Sequence, residues 1–139
     1  MPTNTAATNA REYQSHQTHY LRKTVNYNDP NIATGIPFSN YLPKGAQILD
    51  TYVNIITAFN AGTTNVLTVG QNASSYNDIV GASDVDETAV AMTAVLTGGK
   101  LDLSAGEVQP YVKYAQTGTA ATAGKARIVI TYALANNDG

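Results

Sequence analysis

The chain of 139 residues has no cysteine, no tryptophan, two histidines and few charges: Asp, Glu, Lys and Arg together make up 13%. Each shortage removes a class of function. Without cysteine there are no disulfide staples, no thiolate zinc sites and no thiol nucleophile. A net charge of −2 gives no electrostatic footprint for nucleic acid. No apolar run approaches the ~18–20 residues of a membrane-spanning helix. The start, Met1 to Asn9, has neither a basic cluster nor an apolar stretch and does not read as a signal peptide. Synthesis and folding in a cytoplasm are the expectation, separate from the final location. Charged residues are at about half the ~25% usual for soluble domains. Thr, Asn, Ser and Gln supply the polarity instead, and such a surface packs against neighbours with little charge to desolvate.

What is present is a series of short strands. Residues 1–19 are polar and without sustained period and read as an extended or flexible N-terminal arm. The arm nevertheless carries the anchor-type residues Arg11, Tyr13, His16 and His19. From Tyr20 the period becomes two, with Leu21, Val25 and Tyr27 alternating with Arg22, Thr24 and Asn26. Turn signals follow at Asn28-Asp29-Pro30-Asn31 and Leu42-Pro43-Lys44-Gly45-Ala46. An irregular strand is expected near Gly35 to Tyr41. The longest strand, Gln47 to Phe59, is apolar on both faces: Leu49, Val53, Ile55 and Phe59 on one, Ile48, Tyr52 and Ile56 on the other. A strand of this kind needs a cover on its outer side, from the arm or another subunit.

Two small-residue segments, Ala58 to Gly70 and Tyr114 to Gly124, each read as a strand, a turn and a returning strand. On this reading Asn65–Gly70 pairs back on the long strand, and Val108–Leu134 forms a hairpin. Ala89 to Leu96 alternates as a strand, and Pro110 marks an edge or a bulge. In the last strand Ala126, Ile128, Ile130, Tyr132 and Leu134 point inward. The sum is an all-β protein: a single β-sandwich, jelly-roll-like, of about seven or eight strands over residues 20–139.

Residues capable of chemistry do not assemble into a motif. The acids of Asp78 to Glu87 match no calcium loop and read as a solvated acidic loop. His16 and His19 lie in the segment least expected to be helical, so a shared metal is not expected. No Gly-x-Ser-x-Gly elbow or phosphate-binding glycine loop occurs. No enzyme activity, metal or cofactor is expected. Nine tyrosines against two phenylalanines suit protein interfaces or sugar binding, with Tyr13, Tyr20, Tyr27, Tyr41 and Tyr76 at expected loops and strand ends.

The run Ala58-Phe59-Asn60-Ala61-Gly62-Thr63-Thr64-Asn65-Val66-Leu67-Thr68-Val69-Gly70, the run Tyr111 to Ala126 and the Leu42–Ala46 turn resemble patterns in small virion proteins of tailed bacteriophages. Head decoration (cement) proteins are the most similar. The resemblance spans about residues 20–134 and does not include the arm. It implies a sandwich on the outer surface of the phage head, as a homotrimer that bridges subunits of the major capsid protein, with no catalytic residues. On that expectation the contacts are Arg11, Tyr13, His16, His19, Tyr20, Arg22 and Lys23, with the Tyr52 and Ile56 face as a trimer or arm seat. The alternative is a fibre, collar or host-glycan-binding module, or a tail-tube or connector component.

Overall fold

The computed structural model describes residues 18–72 and 74–134. Among these residues seven strands form in chain order: β1 (His19–Asn26), β2 (Ile36–Pro37), β3 (Gln47–Thr57), β4 (Thr64–Gly70), β5 (Met92–Val95), β6 (Tyr111–Thr117) and β7 (Lys125–Ala133). One 3₁₀ turn, Thr97–Lys100, follows β5. The strands make two antiparallel sheets, one ordered β1-β7-β3-β5 and the other β2-β6-β4. The expected all-β sandwich is the fold observed.

One apolar cluster joins the sheets. Leu21, Val25, Ile48, Val53, Ile55, Val95, Ala126, Ile128, Ile130 and Tyr132 from the larger sheet meet Leu67, Val69, Val112 and Tyr114 from the smaller. Phe38, Leu42, Ile79, Val85 and Leu103 close it from the loops. β7 shows the period of two most cleanly, with alternate residues from Ala126 to Tyr132 buried. Phe59 lies against Tyr114 with ring centroids 4.6 Å apart, an aromatic contact between the end of one sheet and the centre of the other.

β3 departs from simple alternation. Its partners on β7 step from Tyr132 to Thr131 while β3 steps from Ile48 to Asp50, so Leu49 is the extra residue of a bulge. The bulge reverses the facing expected there. Ile48 is buried with Val53 and Ile55, and Leu49 is 44% exposed. A second register shift makes Ile56 the extra residue between Ile55 and Thr57. Period-two counting cannot detect an inserted residue, whereas burying Ile48 stabilises the fold by about 1.5–3 kcal/mol.

The two small-residue segments are not hairpins. β3 lies in one sheet and β4 in the other, and the same holds for β7 and β6. Each segment is therefore a crossing between sheets, and the two crossings are bonded to one another. The Asn60 carboxamide oxygen accepts from the backbone N–H of Thr122 at 2.8 Å and of Ala123 at 3.0 Å, and its nitrogen donates to the Thr122 hydroxyl at 2.9 Å. The N–H of Gly62 donates to Thr119 C=O at 2.8 Å, and that of Thr63 to Thr117 C=O at 3.0 Å. Asn65 closes the first crossing, accepting from Ala61 N–H at 2.9 Å and from the Tyr114 hydroxyl at 2.6 Å. Small residues are needed because the backbones approach so closely. A Cβ on Gly124, at φ +152°, would stand 2.3 Å from the Phe59 ring. The smaller sheet thus has β6 at its centre, with Pro110 just ahead of that strand rather than on an edge.

Two substitutions test this packing. Gly124→Ala should lower the unfolding free energy by about 1–3 kcal/mol through overpacking against Phe59 and strain at positive φ; an unchanged denaturant midpoint would contradict it. The Thr51 hydroxyl is buried without a hydrogen-bond partner among the described residues. Thr51→Val, which removes that unpaired group at similar volume, should raise stability by up to about 1 kcal/mol in the same titration.

Candidate interaction surface

Outward-facing residues of the larger sheet are aligned by its register. One row runs Arg22, Val129, Tyr52, Ala94 across all four strands. Beside it lie Tyr20, Thr131 and Asp50 on one side and Thr24, Arg127, Asn54 and Met92 on the other. The β1 and β7 half holds Arg22 and Arg127. The β3 and β5 half is mostly apolar, and it continues into the flanks of β5. Val90 is 69% exposed, Met92 67% and Leu96 68%. Tyr52 donates its hydroxyl to Asp50 Oδ2 at 3.0 Å. That hydrogen bond and the carboxylate charge hold the phenol above its ordinary pKa, so it stays a donor across the physiological range.

The structure sorts the expected contact residues into three groups. Tyr20, Arg22 and Tyr52 share this outer face, and Ile56 is half-buried at the second β3 bulge. His19 and Lys23 alternate on the other side of β1, in phase with Leu21 and Val25. The His19 ring stacks on Tyr132 at 5.8 Å, so His19 belongs to the first strand rather than to an arm. Arg11, Tyr13 and His16 lie outside the described residues. Val90, Met92 and Leu96 were not among the expected contacts. Their signal in the sequence is the alternation of Val90, Met92, Ala94 and Leu96 within a charge-free run from Ala89 to Thr97. Alternation alone does not say which side of the strand meets water.

The loop tyrosines are engaged separately. Tyr27 packs on the core cluster. Tyr76 donates to the Thr34 carbonyl, and Lys113 Nζ sits 4.4 Å from its ring centroid. Together with Val66, Thr68, Ser74, Asn77 and Ala115 they line a shallow groove of about 270 Å³.

The acids of residues 78–87 brace their own loops. Asp78 accepts from the backbone N–H of Gln71 at 2.9 Å and from its side chain at 2.7 Å. Asp84 accepts from Gly81 N–H and the Thr97 hydroxyl, both at 2.7 Å. Asp86 accepts from the Thr88 hydroxyl at 2.6 Å and N–H at 3.0 Å, which lowers its pKa. Among the described residues, no three His, Asp or Glu side chains are grouped as metal ligands. Glu87 is different: it is buried, and its Oε1 accepts from Leu67 N–H at 2.8 Å. Burial pushes its pKa up, against the opposing hydrogen bonds, and the nearby Asp86 charge adds to the rise. A buried Tyr114 also has a raised pKa, first from burial and then from the Glu87 charge.

A raised carboxyl pKa in the folded state means that protonated Glu87 favours folding. Its contribution is complete below the unfolded glutamate value of about 4.3 and is lost as pH rises through the folded value. Thermal midpoints across that window should therefore fall less with rising pH in Glu87→Gln than in the parent chain. Parallel curves for the two proteins would show that Glu87 does not titrate with folding.

No protein-family model matches the chain, and no curated protein does. Solved structures do match. A chain of the cyanophage Pam1 capsid asymmetric unit superposes with a TM-score of 0.64 at 18% identity, covering 86% of each chain. A chain of the capsid of Ralstonia phage GP4 superposes with a TM-score of 0.56 at 16% identity, covering 86% of this chain and 85% of that one. At such identities the likeness is one of fold, and the sandwich described here is a fold that chains of two phage capsid structures share.

Proposed function

We propose that the protein is a bacteriophage virion component, a decoration protein on the outer surface of the head. It binds the major capsid protein there, bridges neighbouring shell subunits and associates with itself as a homotrimer. The observation that carries this reading is the fold shared, over 86% of the chain, with chains of two phage capsid structures. The exposed face of the larger sheet supports it. Protein interfaces favour aromatic and apolar side chains with few charges at their centre, and Tyr20, Tyr52, Ala94 and Met92 meet that description, with Arg22 and Arg127 toward one side. Many symmetric copies on a shell turn a modest single-site affinity into lasting attachment.

The role is structural and non-catalytic, with no cofactor. The loop acids that a hydrolytic site would draw on accept hydrogen bonds from their own loops. Arg22 and Tyr20 contact the shell from the sheet face. Arg11, Tyr13 and His16 contribute from the segment ahead of β1.

The test is co-sedimentation of purified protein with cognate heads that lack it. Saturable binding is expected. Tyr20→Ala combined with Arg22→Glu should weaken it about tenfold or more, in the range of interface hot spots, with no loss of thermal stability because both side chains are exposed. Deleting residues 1–17, which leaves β1 whole, should also weaken binding. Absence of binding by the folded parent protein would refute the proposal.

A further inference from the structure

Asp50 is the one acidic residue in the four strands of the larger sheet. The β3 bulge at Leu49 sets it on the outer face. Leu49 and Asp50 both turn outward, Leu49 exposed and Asp50 half-buried, between the buried Ile48 and Thr51. Little in the chain holds the carboxylate. Its Oδ2 accepts from the Tyr52 hydroxyl at 3.0 Å. Its Oδ1 is buried without a hydrogen-bond partner among the described residues. A carboxylate withdrawn from water is ordinarily met by a cation or by several N–H donors. Here one neutral hydroxyl stands in for both.

The basic residues of the same face stand elsewhere. Arg22 is level with Val129 and Tyr52, and Arg127 with Asn54, whereas Asp50 is level with Thr131 and Tyr20. Positive charge is therefore gathered on β1 and β7 toward one end, and the negative charge on β3 toward the other. In the row Tyr20, Thr131, Asp50 a small side chain separates a tyrosine from the carboxylate. Tyr20 and Asp50 are two inter-strand spacings apart, about 10 Å. That gap is a seat of the width a flat or extended side chain needs.

We infer, resting on the capsid contact proposed above, that Asp50 accepts a basic side chain of the shell protein, laid over Thr131 between Tyr20 and the carboxylate. Covering this face removes the water that now solvates Asp50. Left unpaired there, the carboxylate opposes docking, because a buried charge without a counter-charge is costly. Met by a cation, it makes a charge-assisted hydrogen bond among aromatic contacts. Arginine fits the seat best: its planar fork bonds a carboxylate while its flat side stacks on tyrosine. The charges at the two ends of the face also fix direction. The partner presents base over Asp50 and acid over Arg22 and Arg127, and the reversed arrangement sets like charges together. A neutral or wholly acidic partner surface does not match this pattern.

Asp50→Asn tests this, since it keeps an acceptor for Tyr52 and removes the charge. The isolated chain holds that charge uncompensated, so the thermal midpoint of Asp50→Asn should stay level or rise. Binding to cognate heads that lack the protein, read by co-sedimentation, should weaken about tenfold or more. Asp50→Lys should weaken it further by opposing the partner's cation. Glu107→Gln removes the same charge from the loop ahead of β6 and should bind as the parent does. If the parent binds and Asp50→Asn binds equally well, Asp50 accepts no partner cation, while the capsid role stands. If the folded parent does not bind, both fall. A lower thermal midpoint for Asp50→Asn would mean that the carboxylate is already paired within the chain, and would also overturn the assignment. An equal fall in Arg11→Gln would then identify that partner, because Arg11 is the one Arg or Lys ahead of β1.

Discussion

The bonding of the two crossings holds the architecture in place. A chain that passes from one sheet to the other between β3 and β4, and again between β6 and β7, exposes two loops whose backbone groups have no sheet to join. Asn60 resolves most of this at one point, accepting from two amides of the opposite loop and donating to a hydroxyl. Gly62 and Thr63 extend the contact with backbone bonds. With the crossings joined, β3 and β7 lie side by side in one sheet and β4 and β6 in the other. The long apolar faces of all four then close on one core. Thr, Asn, Ala and Gly occupy these loops because the backbones must come close.

Much of this was legible in the sequence, and the failures have physical causes. The period of two in β7 and β1 identifies which residues face inward, and the alternation of Ala89 to Leu96 identifies β5. Strand partners are another matter. A turn of small residues fits a hairpin and a crossing between sheets equally well, because both need tight backbone. The difference lies in long-range pairing, such as Asn60 with Thr122, which local pattern does not contain. Ile48 and Leu49 exchange faces because of one inserted residue, and two adjacent apolar residues do not by themselves show which of them is the extra one. By polarity His19 reads with the residues before it; pairing with Tyr132 of β7 places it in β1 instead.

The candidate surface was legible in part. Tyr20, Arg22 and Tyr52 come together because β1, β7 and β3 stand in register, which follows once the sheet order is known. The exposure of Val90, Met92 and Leu96 could not be read from alternation, since a buried edge strand and an exposed one share that pattern. Their placement gives the sandwich two distinct regions on one face, an aromatic and basic one near β1 and an uncharged apolar one at β5.

Electron cryo-microscopy of intact virions, at a resolution that shows individual strands, tests the proposed role most directly. The account predicts seven-stranded sandwiches on the outer surface of the head, with the four-stranded face of each turned toward a protein neighbour. Particles whose heads carry no such sandwich, or in which it occurs only in the tail, would contradict it.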